Sequence, residues 1–167
     1  MSSLWFFFSY ARADLADAQH DNINYLEQFY LDLEREIRGL RAVLPHENIG
    51  FRDLHAGGIA IGSEWKPEVG KALCGARTLV CLYSPSFFAS ANCGKEVQVF
   101  LNRRQKAAES NHISPPPVII PVMWNDPSGV CRLPETMADF QHRSDTFPRA
   151  YNDLGVVKLR RFQNDVD

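Results

Sequence analysis

Apolar and polar positions follow two rhythms along this chain. "LWFFFSY" (Leu4–Tyr10) is a continuous apolar run that ends in polar residues. Such runs mark strands buried on both faces, as in parallel sheets. "ARADLADAQHDN" (Ala11–Asn22) reads as a long polar connection. Leu26, Phe29, Tyr30, Leu33, Ile37 and Leu40 then recur at helical spacing. They predict an amphipathic helix with Gly39 near its end. After Pro45, "NIGFRD" predicts a short strand around Ile49–Arg52. The glycine-rich stretch "LHAGGIAIGS" follows, and a second helix is expected over Trp65–Leu73 with Ser63 as its N-cap. "RTLVCLY" (Arg77–Tyr83) is the next buried strand. Ser84 then fits an N-cap with Pro85 at the first helical position. Ser90 can cap a longer helix that carries Cys93, Val97, Phe100 and Leu101. Prolines forbid a helix across "SNHISPPP". "VIIPVMW" (Val118–Trp124) predicts a fourth strand, with Pro121 marking it as edge-like or irregular. A short helix around Pro134–Asp139, a weak strand near Phe140–Arg143 and a last helix over Arg149–Arg161 complete the pattern.

Strands thus alternate with helices, which predicts an α/β fold with a parallel sheet covered on both faces. Five strands favour a flavodoxin-like, three-layer αβα arrangement in the order 2-1-3-4-5 over a six-stranded Rossmann sheet. In that order a crevice opens between strands 1 and 3, at their carboxyl ends. The segments that leave those ends are "SYARAD" and "SPSFFASANCGKE". Topology therefore sets Ser9, Tyr10 and Arg12 across from the helix that carries Glu96.

Composition narrows the function classes. A length of 167 residues is expected to form one domain over 1–167, whether alone or as a piece of a longer protein. The net charge of −2 gives no global basic field for nucleic acid. The longest apolar run is too short to span a bilayer, and it lacks the flanks of a signal peptide. Membrane attachment is not expected. The four cysteines form no CxxC pair and the five histidines are scattered, so neither a zinc site nor a disulfide framework is expected. A reducing, cytoplasmic setting fits best. The glycines of Leu54–Gly62 do not spell GxGxxG and no Walker A lysine follows, which argues against kinases and GTPases. A phosphate-receiving response regulator would end its third strand on aspartate, where this chain has Ser84.

Glu96 is the residue that needs explaining. At about 100° per residue it lies on the flank of the Cys93–Val97–Phe100–Leu101 stripe. The commonest fate of such an acid is a solvated helix edge. The alternative is a carboxylate placed at the crevice, with its stem among apolar neighbours. Tyr10 has the same two fates, a strand-end aromatic or a ring that packs on a ligand. Arg12 is either a surface charge or a phosphate clamp. Ser9 ends the strand and could reach a ribose. Asp14 is expected to cap or order its loop. Asp53 and Trp65 bound the glycine-rich loop, and Trp65 packs in the core or backs a pocket wall.

These residues also carry a resemblance. "FFFSYARAD", "FRDLHAGGIAIGSEW" and "ALCGARTLVCLYSPSFFASANCGKEV" resemble, in order and spacing, the three signature regions of a TIR (Toll/interleukin-receptor) domain. "SYA" and "CGKE" look more like bacterial members than animal receptor adaptors. The resemblance implies an NAD+ glycohydrolase that cleaves the nicotinamide–ribose bond and releases or cyclises ADP-ribose. It implies Glu96 as the catalytic acid and Ser9, Tyr10, Arg12, Asp53, Trp65 and Asn92 as substrate contacts. NAD+ would be substrate, with no separate cofactor. Family members often carry tryptophan four residues before the glutamate, where this chain has Asn92. The resemblance further implies homotypic assembly with other TIR protomers, in which a neighbour's loop closes over the pocket. A bacterial immune or antiphage role, with a sensor domain or separate partner supplying activation, is the expected setting. A non-catalytic TIR–TIR interaction module is the rival.

Overall fold

The computed structural model describes residues 4–20, 23–40, 48–53, 67–112, 114, 116–126 and 133–164. Its centre is a four-stranded parallel sheet. The first strand, β1 (Phe6–Ser9), is followed by a short helix α1 (Ala13–Asp17) and a two-residue hairpin of β2 (Gln19–His20) and β3 (Ile23–Asn24). Helix α2 (Tyr25–Leu40), strand β4 (Gly50–Arg52), helix α3 (Pro67–Gly75) and strand β5 (Thr78–Tyr83) come next. Helices α4 (Pro85–Ala89) and α5 (Ala91–Asn111) precede β6 (Ile119–Met123), and α6 (Glu135–Ala138) and α7 (Arg149–Asn164) complete the described chain.

The sheet runs β4-β1-β5-β6, all parallel. Counting only its strands along the chain, that is 2-1-3-4, the first four places of the expected flavodoxin-like order. From β1 the chain winds out to β4 on one side and then crosses to β5 on the other, so the carboxyl ends of β1 and β5 form the switch point.

Period-two burial builds two cores. Phe7, Leu79, Cys81 and Tyr83 point to one face and pack with α3, α4 and α5 through Leu73, Phe87, Val97 and Phe100. Phe6, Phe8, Val80 and Leu82 point to the other and meet Tyr25, Leu26, Tyr30, Trp124 and Val157 on the α2 and α7 side. Three successive phenylalanines are all within 2% of full burial because the sheet is covered on both sides. Each contributes on the order of 2–3 kcal/mol of apolar burial. Among the described residues no helix is long and apolar enough to cross a membrane.

Several sequence expectations need adjustment. The polar connection Ala11–Asn22 contains α1 and the strand β2. Five residues are too few for a helical period to show, and the hairpin strands are only two residues each. The first strand is the inner part of Leu4–Tyr10, and the helix expected over Trp65–Leu73 is described from Pro67 onward. Trp65, Ser63 and the stretch 54–66 lie outside the described residues. The caps are as expected: Ser84 Oγ accepts from the Phe87 N–H at 3.0 Å, with Pro85 at the first helical position. Ser90 Oγ accepts from the Cys93 N–H at 3.3 Å and starts α5.

The run Phe140–Arg143 has no regular secondary structure and joins no ladder among the described residues. The Tyr151 hydroxyl takes its place beside β6. It accepts from the Met123 N–H at 2.9 Å and donates to the His142 carbonyl at 3.3 Å. One side chain thus bridges two backbones that a fifth strand would have joined directly. The Met123 N–H shows which side of β6 faces outward. Two residues earlier the nitrogen of Pro121 faces the same side, so its missing N–H breaks no bond to β5.

The last helix is interrupted at Gly155, where φ is 75° and ψ is 173°. The Val157 N–H beyond it donates to the Trp124 carbonyl at 3.1 Å. A Cβ at Gly155 would lie 2.7 Å from that same oxygen, so close approach and positive φ both require glycine.

Candidate active site

At the switch point β1 ends on Ser9, and the chain leaves the sheet through Tyr10, Ala11 and Arg12. On the other side β5 ends on Tyr83, and two capped helices follow. Between these exits lies a cavity of about 390 Å³. Tyr10, Arg12 and Asp53 line one wall and Asn92, Cys93 and Glu96 the other. Ser9 does not line the cavity; 1% exposed, it reaches the site only through its bond to Glu96.

Ser9 Oγ donates to Glu96 Oε2 at 2.5 Å. The bond crosses from the end of β1 to the second turn of α5. Among the described residues Oε1 has no hydrogen-bond partner, which leaves one carboxylate oxygen for a ligand. Glu96 keeps a partial opening toward the cavity, yet protein crowds the carboxyl on most sides. That desolvation pushes its pKa up to about 7. The Ser9 hydrogen bond and the Arg12 charge act against the rise, and the Asp53 charge adds to it.

Opposite Glu96, Arg12 Nη2 pairs with Asp53 Oδ2 at 3.1 Å. The Tyr10 hydroxyl donates to the Asp53 carbonyl at 2.7 Å. These bonds tie the exit of β1 to the end of β4. Burial pushes the Tyr10 pKa up, so the hydroxyl stays a donor. Arg12 Nη1 is buried and has no hydrogen-bond partner among the described residues. A buried guanidinium donor left open beside a cavity is suited to an anionic group.

Asn92 and Glu96 are four residues apart on α5 and so share one helix face. Asn92 makes no hydrogen bond among the described residues, so its amide is available at the cavity wall. Cys93 lies between them. Burial pushes its thiol up to about 12, which makes it a packing residue rather than a nucleophile. Cys81 is fully enclosed and is raised well above the ordinary thiol range for the same reason.

Of the seven residues singled out from the sequence, Tyr10, Arg12, Asp53, Asn92 and Glu96 line one cavity, and Ser9 holds the last of them from behind. Trp65 lies outside the described residues. Sequence reasoning missed Cys93 and Ser90 as wall residues. The signal was present, since Cys93 precedes Glu96 by three and Ser90 caps the same helix, but both also satisfied a purely structural role.

The TIR-domain family model matches residues 6–154. No curated protein matches the chain. The matched span begins at β1 and runs into α7, so it takes in the whole sheet and both walls of the cavity. The chain belongs to the TIR-domain family.

Proposed function

We propose that the chain is an NAD+ glycohydrolase that cleaves the nicotinamide–ribose bond. The observation that carries this is one carboxylate, Glu96, oriented by Ser9 at the base of a cavity with an open arginine donor across from it.

The chemistry needs little more. The bond between ribose C1′ and the nicotinamide nitrogen breaks, and its electron pair leaves with the ring. Nicotinamide starts as a cation and departs neutral, so no acid has to protonate it. Positive charge develops on the ribose as an oxocarbenium-like centre. An ionised Glu96 stabilises that charge or holds the ribose hydroxyls. Water then adds to C1′ and loses a proton, giving ADP-ribose. Alternatively a nucleophile within the ADP-ribose attacks C1′ and gives a cyclic product. In this reading Arg12 binds the pyrophosphate, and its unpartnered Nη1 supports that role. The Tyr10 ring flanks the same wall, and Asn92 offers an amide to the nicotinamide or ribose.

Assembly completes the site in this proposal. A loop from a neighbouring protomer covers the cavity, as the TIR resemblance implies, and a sensor domain or partner triggers the assembly in a bacterial immune or antiphage setting. The rival is a non-catalytic module that recruits other TIR domains. Asn92, polar where the family often has tryptophan, favours that rival. Chromatography of the products from NAD+, at low and high protein concentration, separates the two. Turnover that rises with concentration and vanishes in Glu96→Gln supports the glycohydrolase. No turnover at any concentration supports the module, and full activity in Glu96→Gln rejects the site.

A further inference from the structure

Asp14 and Ser84 are among the few buried polar side chains, at 2% and 0% exposure, and the chemistry above uses neither. Ser84 Oγ donates to Asp14 Oδ2 at 2.6 Å. The same oxygen accepts the Phe87 N–H and caps α4. Asp14 stands in α1 just after the exit of β1, and Ser84 stands at the exit of β5.

The two serine–carboxylate bonds are reciprocal. Ser9 at the end of β1 holds an acid from the helices after β5. Ser84 just beyond the end of β5 holds an acid from the helix after β1. Each strand exit therefore grips the segment that leaves the other. The grips differ in purpose. Glu96 reaches the cavity with one oxygen open, whereas Asp14 does not line it.

We propose that Asp14 is a positioning residue for the cavity: held by Ser84, it fixes the wall of Tyr10 and Arg12 against the wall of Asn92 and Glu96. The backbone carries the effect over a short distance. The Asp14 N–H donates to the Ala11 carbonyl at 3.0 Å, and the Leu15 N–H donates to the Arg12 carbonyl at 3.0 Å. Arg12 is thus built into the turn that Asp14 anchors. Ser84 anchors α4, which leads through Ser90 directly into α5. A hydrogen bond to a buried carboxyl group is worth more than one at the surface, and removing the Ser84 hydroxyl loosens the hold on Asp14. A five-residue helix has little cooperativity of its own to hold the turn in place.

The kinetic arm of this inference rests on the NAD+-cleaving proposal, and the structural arm does not. The test compares Ser84→Ala, Ser84→Thr and Asp14→Ala with the wild type in the intact chain. The first readout is amide hydrogen exchange at Asp14, Leu15 and Ala18. The second is the titration midpoint of the Glu96 carboxyl by carbon NMR, which responds to the distance of Arg12. The third is KM and kcat for NAD+. Ser84→Ala is expected to speed exchange at those three amides about tenfold, with Leu82 in β5 unchanged. The Glu96 midpoint should move to higher pH as Arg12 recedes. KM should rise about tenfold with kcat within threefold. Ser84→Thr retains the hydroxyl and should restore all three. Should Ser84→Ala fail to fold, Asp14→Ala, which removes the acceptor, carries the same comparison. Faster exchange with an unmoved Glu96 midpoint and an unmoved KM would overturn the positioning role and leave a stability role. Unchanged exchange would overturn the clamp itself. A wild type that leaves NAD+ intact rejects the glycohydrolase proposal, while exchange and the Glu96 midpoint still decide this one.

Discussion

Ser9 and Glu96 are 87 positions apart, yet the serine hydroxyl meets the carboxylate at 2.5 Å. The serine is fixed by the sheet, since Ser9 pairs in register with Cys81 of β5. The carboxylate is fixed by α5, whose start is set by the Ser90 cap. Two rigid elements thus aim the acid with no loop between them. This is the kind of placement that holds a reacting group within a fraction of an ångström.

The first prediction concerns pH and rate. Stabilising a cationic sugar requires Glu96 ionised, and burial raises its pKa to about 7. The turnover number divided by KM should therefore rise with pH, pass its midpoint near 7 and level off above it. Glu96→Gln should lose activity by about 10²–10³-fold or more at every pH. A pH–rate profile of the assembled protein checks both. A flat profile between pH 5 and 9 would sink the assignment.

The second prediction concerns stability and has the opposite sign. The ordinary glutamate value is 4.5, and the folded value is about 7. Between those limits the folded state keeps a proton that the unfolded state has released. The unfolded state then binds fewer protons, so stability falls as pH rises through the window. The penalty is absent below 4.5 and complete above 7. It amounts to on the order of 2 kcal/mol, allowing for the partial opening to solvent. Glu96→Gln cannot ionise and should escape it. Thermal melts should show the variant more stable than wild type at pH 8 and equal to it near pH 4.5. The acid would then cost stability where it is catalytically useful, a common trade at active sites.

Neighbouring substitutions should move the Glu96 midpoint in opposite directions. The Ser9 hydrogen bond lowers the pKa and the Asp53 charge raises it. Ser9→Ala should shift the carboxyl titration to higher pH, and Asp53→Asn should shift it to lower pH. Carbon NMR of the glutamate carboxyls reads this without any turnover. Shifts of the same sign in both variants would contradict the site geometry.

Part of this site was legible in the sequence because strand order sets Ser9, Tyr10 and Arg12 across from Glu96, while Asp53 and Asn92 entered only through the TIR resemblance. The apolar runs at Phe6–Ser9 and Thr78–Tyr83 identify two central strands, and the switch point follows from their order. Ser84, Pro85 and Ser90 mark helix starts by chemistry that acts within three residues. Contacts of long range were harder to foresee. Asp14 looked like a loop-ordering acid, because nothing near it in sequence announces Ser84, 70 positions away. Helix α1 escaped because five residues do not complete two turns. The expected strand at Phe140–Arg143 is weakly marked, with Phe140 its one β-favouring residue, and composition does not reveal which backbone partner is free. Tyr151, further along the chain, settles that competition.

That competition yields the last prediction. Tyr151 satisfies the Met123 N–H and holds the His142 carbonyl with one hydroxyl. Phenylalanine keeps the ring and removes both bonds. The Met123 N–H then loses its acceptor on the outer side of β6, at a cost of about 1–3 kcal/mol. For a domain of this size that corresponds to a fall in Tm of about 2–4 °C per kcal/mol. Tyr151, Met123 and His142 do not line the cavity. Tyr151→Phe should therefore lower the melting temperature and leave the NAD+ kinetics at neutral pH unchanged. Hydrogen exchange should locate the loss at Met123, with the amides of β1 and β5 still protected. A variant that melts like wild type would mean the hydroxyl bridge carries no weight. A variant that keeps its Tm but loses turnover would mean this edge of the sheet communicates with the site by a route the hydrogen bonds do not trace.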